Sequence, residues 1–364
     1  MPEPAENAAR IRRWPAEGPQ GPLVLELYPT LACNLSCRFC DTTDRHRPPV
    51  NELSTERLLA LVDEAADMGV RRVFILGGGE PLVRRRATPA LMHRVKERGL
   101  EGVLTTNGTL LDAALTNQMI ETGWDEVHFS LDGATPAVHD HLRGQAGAFR
   151  KTVRNACRLS QWARRTPAGL PHVALHFVVM GPNLHQVPDM VPLAAAIGAT
   201  RIDYDLLVAY RPEQRELDLS PAQRRALPAV AAGARRDAEA RGIATTLHLL
   251  EDPTRLARGE APPPLPDGQG LAGAPCLKAW HYLVVQADGR SSPCCVLAGE
   301  GGSAVEQPLA TLWREDPFLN RVRSGMLAQQ PLPRCRECSA NILAHEAAIR
   351  RELTSPMERA WPST

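Results

Sequence analysis

The chain has no long apolar run, no export signal and no excess of charge. None of its 364 residues falls in a stretch approaching the ~20 apolar residues needed to cross a bilayer. The opening Met1-Pro2-Glu3-Pro4 lacks the basic-then-apolar pattern of a signal peptide. Lysine and arginine number 42 against 41 aspartates and glutamates, a net charge of +1. Nucleic-acid and membrane-surface proteins usually show a basic excess. Arginine pairs such as Arg12-Arg13 and Arg235-Arg236 therefore read as solvated faces. No internal repeat is visible. These absences predict a cytoplasmic protein whose partners include neither nucleic acid nor membrane. Thiols stay reduced there, so the nine cysteines call for explanation as ligands, reactive groups or core residues.

What is present is enough chain for one large or two ordinary domains. Residues 1–20, rich in Pro, Glu and Arg without periodicity, are expected to form a mobile tail. From Leu23 onward, strand-like runs at 23–28, 72–77, 101–106, 126–131, 172–180 and 201–208 alternate with helical stretches. The helices fall near 54–68, 86–98, 110–122, 147–165, 184–197 and 220–241, with Ser54 as an N-cap. Six such units predict an α/β fold over residues 21–258, a parallel sheet curled into a full or partial TIM-like barrel. Residues 259–275 read as a linker and 276–364 as a smaller α+β region. That region should hold a hairpin of 283–286 with 291–296, a helical segment near 308–324 and a closing helix at 341–353.

Strand parity describes the barrel's interior. If Val173, Leu175, Phe177 and Val179 pack on helices, His172 and His176 face the lumen. By the same alternation Asp203 and Asp205, His128, Ser130 and Asp132, and Glu26 and Tyr28 face inward. A structural barrel core is filled with Val, Ile and Leu, so a polar lumen implies a small, polar, hydrogen-bonding ligand. Each of these histidines, taken alone, also reads as a satisfied core residue.

The chemistry is concentrated at Cys33, Cys37 and Cys40. Three thiolates satisfy three irons of a [4Fe–4S] cube and leave the fourth open. A zinc knuckle is the alternative, but zinc wants four ligands and no fourth lies nearby. The Cys-x-x-x-Cys-x-x-Cys spacing resembles that of the radical S-adenosylmethionine (SAM) enzymes, whose open iron binds the amino and carboxylate groups of SAM. Six βα units also suit that family's partial barrel, (β/α)6. Gly77-Gly78-Gly79-Glu80-Pro81 after the second strand lets backbone approach a ligand closely and matches the family's glycine-rich loop. The resemblance further implies that Ser130 and Arg143 contact the SAM carboxylate, with Asp132 and Asn107 at strand ends beside them; loop capping is the plainer reading of each. Asn183 sits at another strand end, and Cys157 lies mid-helix as a core residue.

Cys276, Cys294, Cys335 and Cys338 form a second constellation. Its context resembles the C-terminal SPASM/twitch domain, and nothing ligand-like follows Cys338 at the expected distance. That favours the shorter twitch form with one auxiliary [4Fe–4S] cluster, a structural zinc site being the alternative. Together the resemblance implies one-electron reduction of SAM, by a flavodoxin- or ferredoxin-type donor, to methionine and a hydrogen-abstracting 5′-deoxyadenosyl radical. One auxiliary cluster suits net oxidation of a carbinol to a ketone, as in aminocyclitol dehydrogenases of antibiotic pathways. The expected substrate is an aminocyclitol, amino sugar or sugar-nucleoside, with Cys295, His176, Asp203 and Asp205 as candidate catalytic groups. Redox-neutral epimerisation, dehydration or decarboxylation, and maturation of a ribosomal peptide, stay open. Against the last, only about twenty residues precede the barrel, too few for a peptide-recognition domain.

Overall fold

The structure, a computed structural model, describes residues 4–18, 20–40, 51–209, 211–252, 270–337 and 340–354. Among these, strands β1 (Val24–Leu27), β2 (Arg72–Ile75), β3 (Glu101–Thr106), β4 (Glu126–Ser130), β5 (His172–Val179) and β6 (Arg201–Leu206) lie side by side in chain order, all parallel. A short β7 (Ala244–Thr245) adds beyond β6. Among the described residues the sheet is not closed between its ends, so the expected partial barrel is what forms.

Helices cover the outer face because one parity of each strand is apolar. Leu25, Leu27, Val73, Ile75, Val127, Phe129, Leu175, Phe177 and Tyr204 are buried against them in the main core. Residues that stop the chain from extending also start the helices. Ser54 accepts the amide of Arg57 at 3.1 Å to open Thr55–Asp67, and Asp112 accepts Leu115 at 2.9 Å to open Ala113–Glu121. Each such cap is worth about 1 kcal/mol. Helices Ala87–Glu97, Ala148–Ala163 and Pro221–Ala240 follow expectation. The stretch at 184–197 divides into a 3₁₀ turn, Leu184–Gln186, and a helix, Met190–Ile197. A further helix, Pro136–Arg143, is not among those expected and carries Arg143 at its end.

Two expectations are corrected. The proposed tail contains a helix, Pro4–Glu17, whose Ala8 and Ile11 join Trp280, Phe318, Val322 and Ile349 in a second core. Pro4 is tolerated because it stands in the first turn, where an amide has no helical partner. The cysteine-bearing region is also continuous with the barrel. Strand β8 (Tyr282–Val285) pairs parallel with β1, and only its hairpin mate β9 (Ser291–Ser292) runs antiparallel. The segment near 308–324 breaks into Leu309–Glu315 and Pro317–Leu327 because Asp316 caps the second helix through the amide of Leu319. The last described helix is Ala340–Thr354. Most of the expected linker, residues 259–269 of 259–275, lies outside the described residues.

Candidate active site

The loop after β1 carries the first three cysteines across the carboxyl end of the sheet. Buried Leu35 anchors it, and the amides of Ser36 and Arg38 donate to the carbonyls of Arg143 (3.3 Å) and Leu142 (2.9 Å). The glycine-rich loop presses on it from β2. Amides of Gly79 and Glu80 donate to Thr30 and Ala32 carbonyls, both at 2.9 Å. A Cβ on Gly79 would stand 2.0 Å from the Ala32 oxygen, and one on Gly78 would stand 2.3 Å from Leu31. Gly77 takes φ +126°, open essentially to glycine alone. These glycines are explained by close approach of two loops.

Glu80 and Asn107 hold that approach and have little left over for a ligand. The Glu80 carboxylate accepts Leu82 N (3.0 Å), Thr106 Oγ1 (2.7 Å) and Asn107 N (2.7 Å). Burial nevertheless raises its pKa, against those three donors. The Asn107 side chain donates to Asn34 Oδ1 at 2.9 Å and accepts from Thr109. Both act here as clamps on the cysteine loop. The Ser130 hydroxyl, by contrast, has no hydrogen-bond partner among the described residues and stays available. Asn183 is a clamp as well, donating to Asp132 and Val178 carbonyls. Cys157 packs against the main core, as expected.

Arg143 ends its helix beside the thiols. It is ion-paired with fully buried Asp132, and its Nη1 lies 3.6 Å from Cys37 Sγ, over the Phe39 ring. Asp132 also accepts the amide of Val178 at 2.8 Å, so it serves as counter-ion and brace. Sequence reading missed His139, whose Nδ1 accepts the Asp132 amide at 3.2 Å. Burial first, then Arg143, push its pKa down to about 3, so it is a neutral wall of the site.

The donor set fits an iron–sulfur cluster. Cys33, Cys37 and Cys40 interact electrostatically, and burial pushes Cys33 up to about 11 and raises Cys37, so both thiols need nearby cations to ionise. Among the described residues no three His, Cys, Asp or Glu side chains stand close enough for a single metal ion. Three thiols on one loop suit three irons of a cube and leave the fourth iron open. Cys276, Cys294 and Cys335, each half-buried, pack against the second core. Burial again pushes Cys335 up to about 11 and raises Cys294. Cys338 lies outside the described residues.

The lumen is polar in two layers. In the upper one, His176 Nε2 lies 3.1 Å from Asp205 Oδ2, both half-buried, while Asp205 Oδ1 is buried without a partner. Burial opposes a charge on His176, but Asp205, with Asp132 and Asp203 behind it, raises its pKa overall. In the lower layer Arg201 binds Asp203 (3.0 Å), Glu126 (2.9 Å) and His128 (3.0 Å), and Arg72 pairs with Glu101. Burial works against the Glu126 charge, but His128, Arg201 and Arg72 outweigh it and bring its pKa to about 2. Asp203, expected beside Asp205 as a catalytic group, is instead engaged in this floor of ion pairs. His172, at the strand's start, is exposed and outside the layers.

Cys295 is exposed and lies near Tyr28, Lys278 and Tyr282, whose ionisation its charge affects. Tyr282 hydrogen-bonds Glu26, and the buried Lys278 ammonium sits 3.7 Å from the Tyr282 ring centroid. Lys278 was not foreseen; nothing in its local sequence marks a buried lysine. Cys295 opens a 3₁₀ turn, Cys295–Leu297, past the end of the hairpin strand, and both it and Cys294 lie near Lys278 and Tyr282.

Comparison with known proteins agrees with this geometry. Residues 27–190 match the Radical SAM superfamily, and residues 276–339 match SPASM, an iron–sulfur cluster-binding domain. The chain is similar to a PqqA peptide cyclase of Granulibacter bethesdensis, 28% identical over 328 residues, covering 88% of this chain and 80% of the relative. It is comparably similar to an AdoMet-dependent heme synthase of Methanosarcina barkeri, 27% identical, covering 81% and 82%. The crystal structure of Streptococcus suis SuiB bound to S-adenosylmethionine shares the fold at TM-score 0.68 and 18% identity, covering 87% of this chain and 71% of that one. The chain carries a SAM-binding [4Fe–4S] cluster in the first domain and an auxiliary iron–sulfur cluster in the second. No described helix is long and apolar enough to cross a membrane.

Proposed function

We propose that this chain, a radical SAM enzyme with a SPASM domain, oxidatively modifies a ribosomal peptide presented at the mouth of the partial barrel. The observation that carries the reading is the similarity to a PqqA peptide cyclase over 88% of this chain, and the His176–Asp205 pair, with one Asp205 oxygen unpartnered, supplies the proton chemistry. When bound, the clusters and SAM supply hydrogen-atom abstraction and an acceptor for the electron left behind. Cys33, Cys37 and Cys40 would hold the first cluster, and Cys276, Cys294, Cys335 and Cys338 the second. Backbone of Gly77, Gly78 and Gly79, with Ser130, would border SAM, while Asp132 fixes Arg143.

The remaining work belongs to the lumen. Oxidation requires the substrate to lose a proton as well as a hydrogen atom. With Nε2 donating to Asp205, Nδ1 of His176 is the nitrogen left to accept that proton, and Asp205 steadies the imidazolium that results. The free Asp205 oxygen would receive an amide or hydroxyl of the substrate. Arg201 with Glu126 and Asp203 closes the floor, so the substrate stays in the upper layer.

Support for a peptide comes from the cyclase similarity over most of the chain and from the lumen's polarity. A tetrapyrrole, the class named by the heme synthases, would need a largely apolar cavity. The aminocyclitol expected from cluster layout gives way, because the relatives described above are named for a peptide and for heme. Oxidation of a small carbinol is kept as a second reading, favoured by the same imidazole–carboxylate pair. The test is anaerobic incubation of reconstituted enzyme, SAM and reductant with a short peptide encoded beside its gene, with coproporphyrin, or with an aminocyclitol. Loss of two hydrogens from the peptide, read by mass spectrometry, supports the proposal. A ketone from the aminocyclitol, with the peptide unchanged, overturns it.

A further inference from the structure

A second recess lies away from the lumen, between the amino-terminal helix and the cluster-bearing region. Its volume is about 630 Å³, within the range of small-ligand pockets. Trp14, Trp280, Leu271, Leu327 and Leu353 make it apolar, and Arg12 stands with them in its lining. Leu327 is 47% exposed, unusual for a large apolar side chain.

Within this lining lies Arg323, only 5% exposed. It lies in the corner formed by Trp14 and Trp313, which meet edge to face at 79°, with ring centroids 4.8 and 4.5 Å from its guanidinium carbon. Its Nε donates to Ala279 O (3.0 Å), and its Nη1 donates to Trp313 O (2.8 Å) and Asn320 Oδ1 (2.9 Å). Nη2 is buried with no partner. Among the described residues no carboxylate forms an ion pair with it. Asp316, the nearest in effect, spends its oxygens on the amides of Leu319 (2.8 Å) and Gly302 (2.6 Å). Burial accordingly pulls the Arg323 pKa down to about 10. Buried charges are ordinarily paired, and this one has three acceptors, two aromatic faces and no anion.

We propose that this recess binds a carboxylate carried on an apolar body, and that its occupant is an acidic, apolar segment of the peptide substrate. Charge complementarity sets the acid opposite Arg323 and Arg12, and the two tryptophans and three leucines take the flanking apolar side chains. The identity of the occupant rests on the peptide reading above; the preference for an apolar carboxylate rests on Arg323 alone.

The experiment is titration of the full reconstituted chain with N-acetyl-Leu-Glu-Leu-Phe-amide, read by tryptophan fluorescence and calorimetry, against the same peptide with Gln for Glu. Charge-assisted hydrogen bonds are about twice as strong as neutral ones, so the Glu peptide should bind roughly tenfold or more tightly than its Gln counterpart. Leu327→Glu, at an exposed position where folding is not at stake, should weaken both peptides by removing an apolar contact and the Glu peptide several-fold more by repulsion. Arg323→Gln, if it folds by circular dichroism, should erase the difference between the peptides. Equal affinities, no saturable response, or indifference to Leu327→Glu would overturn the proposal. So would a concentration-dependent dimer that excludes the peptide, since a second copy would then be the occupant. The two readings fail separately. Binding here with no peptide modification defeats only the proposed function, and modification of a peptide whose affinity ignores Leu327→Glu defeats only this inference.

Discussion

Replacing Asp132 with asparagine separates what Arg143 does for the fold from what it does for a ligand. The substitution keeps the shape and leaves an oxygen for the Val178 amide, now 2.8 Å from Asp132 Oδ1. It removes only the charge facing Arg143, in a pair where Asp132 is 0% and Arg143 8% exposed. Stripping one partner from a buried ion pair costs about 3–5 kcal/mol, because the other charge stays buried and unpaired. A chain of 364 residues has an unfolding entropy on the order of 0.8 kcal/mol/K, so the melting midpoint should fall by about 4–6 °C. The double change Asp132→Asn with Arg143→Met removes both charges and should recover most of that loss. Thermal unfolding followed by circular dichroism on the four proteins reads the cycle. A shift below about 1 °C for Asp132→Asn, or no recovery in the double variant, would refute the description of Asp132 as the counter-ion of Arg143.

Three further outcomes follow from the same site. Gly79→Ala drives a methyl into the Ala32 carbonyl, 2.0 Å away, and should cost about 1–3 kcal/mol of stability and lower iron loading of the first cluster, measured by iron assay. Cys33→Ala should abolish SAM cleavage, whereas Cys276→Ala should retain it, each reducing iron from about eight to about four per chain. His176 has its pKa raised above the ordinary 6.5 by Asp205. Its ion pair therefore stabilises the fold fully below that ordinary value and loses this contribution as pH rises through the raised one. As a proton acceptor it works when neutral, so turnover should climb over that same upper window, and His176→Asn should flatten the limb in a pH–rate profile.

Much of this site could be read from local pattern. Strand parity placed His176 and Asp205 in the lumen because alternation is a property of each strand by itself. The cysteine spacings and the glycine run were equally local. Other features depend on contacts that no window of sequence contains. The helix Pro4–Glu17 hides behind a Pro- and Arg-rich composition, and only its packing with the far end of the chain shows why Ile11 is apolar. Strand β8 joins β1 across more than 250 residues. Asp203 has the parity of Asp205, yet Arg201 two residues away claims it. Glu80 and Asn107 look like ligand contacts in a motif, and become clamps once their partners on neighbouring loops are seen.

The most direct test of the account is the path of the hydrogen atom. A peptide substrate deuterated at every carbon, incubated with enzyme, SAM and reductant, should yield 5′-deoxyadenosine carrying one deuterium for each peptide oxidised, and the label should remain there. Deoxyadenosine without deuterium beside an unchanged peptide would contradict the claim that this barrel oxidises a peptide, and label washing back into the peptide would contradict net oxidation.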